Sequence, residues 1–463
     1  MESLPKEIKN IIKDFIIFKP KTKKELQDAL DLWDCHVLYH HVKLYPENRT
    51  KALKKYGDIS LWDTSLINDM SELFKNKDYF DGGDNSNSDI SNWDVSNVVN
   101  MSEMFYNCNG FDQNLNNWDV SKVENMSKMF ENCYSFNKSL NNWNVSNVKN
   151  MYWMFFACEN FNQNLNNWNV SKVENMSAMF CDCENFNQPL NNWDVSNVKD
   201  MSYIFSRCKN FNQNLNNWNV SNVENIVDMF CDCTSFNQPL NNWNVSNVKD
   251  TENMFFNARK FNQSLNNWNV SNVENMSHMF DGASAFNQPL NNWNVSNVKN
   301  MSDMFCDCTS FNQPIGSWDV SKVKNMHHIF CRCQKFNQPL NNWNVSNVKN
   351  MYGMFNGASA FNQPIGSWDV SKVKYMDDMF NRASSFNQPI GFWNVSSVIG
   401  MSGMFLGASS FNQPIGSWDV SSVNDGMYNM FLGASSFNYQ ENAKWYNCKI
   451  YDYNSDYDNN FDY

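Results

Sequence analysis

Four Cys-x-Cys pairs, Cys181/Cys183, Cys231/Cys233, Cys306/Cys308 and Cys331/Cys333, set thiols close together, and His327 and His328 lie just ahead of the last pair. Thiolates and imidazoles are zinc ligands, so metal binding is the first chemistry to weigh. The spacing argues against it. One intervening residue places the two side chains awkwardly on a helix, whereas structural zinc motifs typically separate them by two to four residues. Cys35, His36, His40 and His41 form another cluster, but without a second ligand pair they read as a packed or solvated face. No glycine-rich phosphate loop, nucleophile elbow or recurring acid pair with a local base occurs. The expectation is no enzyme, no metal site and no cofactor.

The same cysteines keep register with a longer pattern. Trp93, Trp118, Trp143, Trp168, Trp193, Trp218, Trp243, Trp268, Trp293, Trp318, Trp343, Trp368, Trp393 and Trp418 recur every 25 residues without a slip. Such a period marks about fifteen repeats, each stacked on the next. In that frame Cys108, Cys133, Cys158, Cys183, Cys208, Cys233, Cys308 and Cys333 share a column that elsewhere holds Ala258, Ala283, Ala358, Ala383 and Ala408. A position that accepts either Cys or Ala asks for a small apolar group, so burial is favoured over reactivity. The tryptophans and paired phenylalanines could be stacking platforms for bases or sugars. A residue required in every rung instead fills a core layer, because a ligand site would be local.

Each rung must position these residues with short elements. Val98, Met101, Met104, Phe105 and Cys108 follow the spacing i, i+3, i+6, i+7 and i+10, which predicts a short helix with one buried stripe. Asp94, Ser96 and Asn97 suit its N-terminal cap. Phe186-Asn-Gln-Pro-Leu-Asn-Asn-Trp193 contains Pro189 and few helix formers, and predicts a turn followed by a short extended segment. These segments would pair in parallel at roughly 4.8 Å. The fold class expected is an α/β repeat solenoid with one short helix and one short parallel strand or extended segment per 25-residue rung.

Charge placement agrees with stacking, since Glu124, Lys149, Glu174, Lys199, Glu224, Lys249, Glu274 and Lys299 alternate in sign down one column before Lys324, Lys349 and Lys374 end the alternation. Opposite charges on neighbouring rungs attract. Exposed pairs contribute little to stability, so the ladder speaks for register. The Asn and Gln of Phe-Asn-Gln predict stacked amides that satisfy backbone groups in the turn.

Composition bounds the partners. The hydrophobic share is 42%, yet 36 Phe, 26 Met and 18 Trp supply large side chains for a packed core. A net charge of -12 disfavours nucleic acid and anionic membranes as partners. Lysines run through the N-terminus without a signal-peptide pattern, and no stretch reaches transmembrane length. A cytoplasmic monomer follows as the expectation, with Asn-Val-Ser sequons acting as turns. Residues 1–57 form a helical N-terminal cap, net positive with twelve Lys or Arg against eight Asp or Glu. In it Leu4, Ile8, Ile11, Ile12 and Phe15 mark an amphipathic helix, and Thr22 with Glu25 a capping box. The array occupies 58–437, and 438–463 forms a C-terminal cap and an acidic Tyr/Asn/Asp-rich tail.

Met-Phe-x-x-Cys-x-x-Phe-Asn-Gln followed by Trp-Asn/Asp-Val-Ser-Asn-Val resembles the BspA-like leucine-rich-repeat surface proteins, in particular their 25-residue branch of unknown function. The resemblance covers roughly Tyr56 to Asn438. It implies a leucine-rich-repeat-like fold and a role in adhesion or protein recognition, most like intracellular or viral members, which would place the chain in a host cytoplasm. Leu4-Pro5-x-Glu7-Ile8 also resembles the start of an F-box, which implies docking of a ubiquitin-ligase linker protein through residues 1–57. Three functions stay open: an intracellular protein-binding scaffold, a ubiquitin-ligase substrate adaptor and a surface adhesin. A protein partner should contact positions that vary between rungs, such as Glu103, Lys128, Trp153, Ala178, Tyr203, Asp228, His278 and His328, and the turn after them. Trp153, Phe156, Tyr203, Arg207, Arg259, Lys260, His328 and Lys335 are the expected contacts, with Trp153 and Tyr203 as exposed aromatic anchors beside Phe156.

Overall fold

An α-helix over residues 98–108 would send each amide to the carbonyl four residues back. The structure, a computed structural model that describes residues 17–33, 46–77, 89–423 and 426–446, sends them elsewhere. The N–H groups of Met104, Tyr106 and Cys108 donate three residues back, to Met101, Glu103 and Phe105. Those of Met101, Glu103, Phe105 and Asn107 donate to Asn125, Ser127, Met129 and Glu131 of the following rung, at 2.8–2.9 Å. Ser102 N–H takes the Asn100 side-chain oxygen at 3.1 Å. Every amide of 101–107 is thereby paired, three within the rung and four between rungs. Glu103 and Asn107 sit at φ 57° and 59°, so the segment is a run of tight turns and not a helix.

This corrects the expected fold class. Among the described residues between Trp62 and Asn438 there is neither a helix nor a strand. Rungs meet at single-residue parallel bridges, Asn100 to Asn125 to Asn150 in one part of the chain and Asn275 to Asn300 to Asn325 in another. The α/β solenoid with a helix and a strand in each rung, and the leucine-rich-repeat-like fold implied with it, are therefore overturned. The periodicity did find the buried residues, since Val98, Met101, Met104, Phe105 and Cys108 are 0–1% exposed. It could not report the left-handed positions. Asn132, Asp182, Asp232, Asn257, Gly282, Asp307 and Gly357 occupy the Asn107 column at positive φ, and these residue types tolerate that conformation best. Asp94 likewise accepts from Ser96 N–H at 3.0 Å as a cap would, but Val98 N–H then closes a turn onto Val95.

The strand fails for a related reason. Around Phe186–Trp193 the rung-to-rung contact is made by a side chain, the Asn162 Oδ1, which accepts from Asn187 N–H and from Gln188 Nε2, both at 3.0 Å. The amide ladder expected from Phe-Asn-Gln thus takes the place of the carbonyls that a strand ladder would use.

The chain divides into two compact units, Met1–Val223 and Glu224–Tyr463. In the first, helix α1 (Lys23–Trp33) buries Leu26, Ala29, Leu30 and Trp33. Thr22 Oγ1 accepts from Glu25 N–H at 3.2 Å, while the Glu25 carboxylate reaches Lys21 N–H at 2.7 Å, one residue short of the expected capping box. Helix α2 (Pro46–Tyr56) follows, and Arg49 lies over the Trp33 ring at 4.8 Å. Lys23 and Lys77 tie α1 to the first rung through Asp69 and Asp31. Beyond it, each indole donates to a carbonyl of the preceding rung, Trp143 Nε1 to Leu115 at 2.8 Å and Trp168 Nε1 to Leu140 at 3.0 Å. Trp143 and Trp168 stack at 6.3 Å, and Phe105 and Phe130 at 5.5 Å. Lys149 pairs with Glu124 at 2.7 Å, as the charge alternation anticipates.

The second unit repeats this construction. Trp243 and Trp268 stack at 6.3 Å, Phe255 and Phe280 at 5.7 Å, and Lys299 pairs with Glu274. It ends in the short helix α3 (Tyr439–Asn442). In both units the thiols of the Cys108 column are buried and donate to carbonyls of the rung before, as Cys133 does to Phe105 and Cys308 to Phe280. Burial pushes the pKa of Cys133 and Cys308 well above the usual thiol value.

The F-box-like start and its amphipathic helix, the Cys35/His36/His40/His41 cluster and the tail from residue 447 onward lie outside the described residues. Among the described residues no helix is long and apolar enough to cross a membrane.

Candidate functional site

The left-handed turn positions decide what each rung presents. Glu103, Lys128, Trp153, Ala178 and Tyr203 in the first unit, and Asp228, Asn253, His278, Asp303 and His328 in the second, occupy one column at φ 51–58°. The backbone there is fixed by bonds to neighbouring rungs, so the side chain is free to change.

In the first unit this column gathers an aromatic and cationic group. Trp153 stacks on Phe156 at 4.5 Å, and Lys128 Nζ lies 5.0 Å from the Trp153 ring, 5.8 Å from Tyr152 and 5.9 Å from Tyr106. Trp153 and Phe156 are therefore half-buried, which corrects the expectation of an exposed Trp153. Tyr203, 44% exposed, stands two rungs on, about 10 Å away at one strand spacing per rung. Arg207 is exposed and reaches Asp182 at 3.4 Å.

Beneath Lys128 lies Glu131, only 3% exposed. Its Oε2 has no hydrogen-bond partner, and Lys128 is 3.6 Å away. Burial pushes this carboxyl above its usual 4.5, against the pull of Lys128. A raised acid binds its proton more tightly when folded, so this group lowers stability as pH rises from the unfolded value through the folded one. Glu131→Gln should gain about 1 kcal/mol at pH 7 in urea unfolding. The gain over wild type should shrink as pH falls toward 4.5.

In the second unit the expected contacts separate. Arg259, Lys260 and Lys335 are exposed on the turns, with Arg259 Nε held by the Asn257 oxygen at 2.7 Å. His328 is half-buried and belongs to a different assembly. His278, Asp303 and His328 are column neighbours on three successive rungs, and His327 joins them. Asp303 is 5% exposed. Its Oδ2 lies 3.1 Å from His327 Nδ1 and 3.6 Å from His278 Nε2, and its Oδ1 lies 3.3 Å from His328 Nδ1. His278 Nδ1 is bonded to Asp281 at 3.0 Å. That bond raises the His278 pKa, while burial lowers that of His327. At His328 burial works against the charged ring, but the bond to Asp303 prevails and the pKa ends raised.

Cys306 and Cys331 face each other beside this group. Their shared hydrogen bond keeps the proton on Cys306 and pushes the Cys331 thiol down. Cys308 and Cys333 donate instead to the Phe280 and Phe305 carbonyls, so the Cys-x-Cys pairs do not converge on one point.

Sequence reasoning missed two residues. Asp303 stands midway between His278 and His328 in a column read for variability and not for chemistry; counting 25 from either histidine finds it. Phe392, 94% exposed, is a phenylalanine where neighbouring rungs carry Ser367 and Ser417.

In comparison with known proteins, the chain matches the family described as "Mycoplasma protein of unknown function, DUF285" in four overlapping stretches, residues 44–168, 149–268, 252–366 and 361–460. No curated protein matches it.

Proposed function

The chain belongs to the DUF285 family, and from that premise we propose that it is a non-enzymatic repeat scaffold that binds another protein. One observation carries this reading. The columns that fill the core repeat the same residue types from rung to rung, whereas the left-handed positions and the turns after them change, with Tyr203, Arg207, Arg259, Lys260 and Lys335 in solvent. A fixed frame with interchangeable side chains suits recognition.

The BspA-like resemblance supports recognition over catalysis as well. Buried thiols such as Cys133 and Cys158, bonded to carbonyls of the preceding rung, suit a reducing compartment inside a cell.

The test is affinity capture with the full chain beside two double variants, Trp153→Ala/Tyr203→Ala and Arg259→Ala/Lys260→Ala. Recovery of the bound protein should fall about tenfold or more for at least one pair, as loss of an interface anchor does. Equal recovery from all three chains would refute this placement of the surface.

A further inference from the structure

We propose that Asp303, His327 and His328 form a binding site for a divalent transition-metal ion of the zinc class. The proposal is independent of the scaffold reading, because it rests on the geometry of three rungs.

The strongest sign is a mismatch. Asp303 Oδ2 and His327 Nδ1 are both buried from solvent and 3.1 Å apart, yet neither has a hydrogen-bond partner. A buried carboxylate oxygen and a buried imidazole nitrogen that face each other without forming a hydrogen bond are costly. A cation shared by the two lone pairs removes that cost.

His328 completes the set, since donor atoms of Asp303, His327 and His328 all lie within 4.8 Å of one another. His278 Nε2 lies 3.6 Å from the same Asp303 oxygen and its Nδ1 is bonded to Asp281 at 3.0 Å, in a separate cluster that shares only Asp303 with this set. The 3.1 Å between Asp303 Oδ2 and His327 Nδ1 is close to the edge of a tetrahedron with metal bonds of about 2.0 Å. His328 Nδ1, 3.3 Å from the other Asp303 oxygen, supplies the third protein ligand.

Room for the last ring is built into the next rung. Gly353 occupies the same column, and a Cβ there would overlap the His328 imidazole. Imidazole nitrogens with one carboxylate favour zinc and its neighbours over magnesium or calcium, which prefer all-oxygen shells. Cys306 and Cys331 hydrogen-bond to each other, so the expected ligand set is nitrogen and oxygen.

The repeat supplies fold-neutral variants. Serine is the usual residue in the His327 column, as at Ser277 and Ser302, and Asn253 occupies the Asp303 column at φ 53°. His327→Ser and Asp303→Asn should therefore leave the rungs intact.

The full chain, purified under reductant and stripped with chelator, should bind one equivalent of zinc in calorimetric titration and unfold at a higher temperature with zinc present. His327→Ser and Asp303→Asn should each weaken binding roughly 100-fold or more. Cys306→Ala should leave it unchanged, and cobalt substitution should show no thiolate charge-transfer band. Three results overturn the proposal: no stoichiometric zinc, affinity unaffected by both His327→Ser and Asp303→Asn, or binding abolished by Cys306→Ala.

Discussion

Replacing Trp143 by alanine should lower the unfolding free energy of the full chain by about 3–5 kcal/mol, the range for deleting a buried indole. Trp143 is 3% exposed, stacks on Trp168 at 6.3 Å and on Phe130 at 6.3 Å, and donates to the Leu115 carbonyl. Alanine removes the contacts on both sides at once, because a rung in an array is stabilised chiefly by its two neighbours. Trp143→Phe keeps an aromatic layer but leaves the buried Leu115 carbonyl without its donor, and should cost about 1–3 kcal/mol. Asn144→Ala, on the exposed turn beside it, should change stability by no more than about 0.5 kcal/mol. Urea unfolding of the three variants reads the order directly. A Trp143→Ala cost below that of Trp143→Phe would contradict the indole's place in the core.

Asn162→Leu should be the next most damaging change, at about 2–3 kcal/mol, although its side chain is largely at the surface of the rung. The Asn162 Oδ1 accepts two hydrogen bonds from the following rung, from Asn187 N–H and Gln188 Nε2. Leucine has similar bulk and no acceptor, so both donors lose their partner. Aspartate keeps the acceptor, and Asn162→Asp should cost less than about 1 kcal/mol. The chain already contains that substitution two column members earlier, where Asp112 Oδ1 takes Asn137 N–H at 2.9 Å. Faster amide exchange at Asn187 in Asn162→Leu, but not in Asn162→Asp, would locate the effect in this bond. Equal losses from Leu and Asp would show that the acceptor is not what matters.

These two residues also show what was legible in the sequence. Trp143 could be placed in the core because its period admits no slip, and burial in stacked rungs follows from repetition alone. The Asn162 ladder could be anticipated because the Asn and Gln of Phe-Asn-Gln recur in the turn of rung after rung. The Cys/Ala column was readable for the same reason: its occupants share size and not chemistry.

The backbone of Met101–Cys108 was not readable in the same way. A helix and a run of alternating turns bury the same stripe, so hydrophobic periodicity cannot separate them. The distinguishing signal is the Asn, Asp and Gly content of the Asn107 column, which marks a left-handed residue that no helix interior accepts. Once those residues are left-handed, alternate amides point along the stack, and inter-rung bonds replace the helical ones. The strand was lost to the same economy of donors, since the Asn162 side chain supplies the acceptor that a neighbouring carbonyl would have provided.

The candidate sites were legible only in part. Trp153 was found from its variability, but its stacking on Phe156 and its contact with Lys128 depend on side-chain packing that no spacing reveals. His278, Asp303 and His328 are 25 residues apart in sequence and adjacent in space, whereas local zinc motifs are sought within a few residues. Cys306 and Cys308 drew the metal question first because they are close in sequence, yet Cys308 turns into the core.

The account rests on residues 25 apart being neighbours within each unit, joined by amides that leave their own rung. A crystal structure of the full chain tests this at a single group, the Phe130 N–H. It should donate to the Met154 carbonyl of the next rung near 2.9 Å, with the Trp143 and Trp168 rings stacked near 6.3 Å. Donation to the Met126 carbonyl as part of a helix, with the two indoles separated by more than one rung, would contradict it.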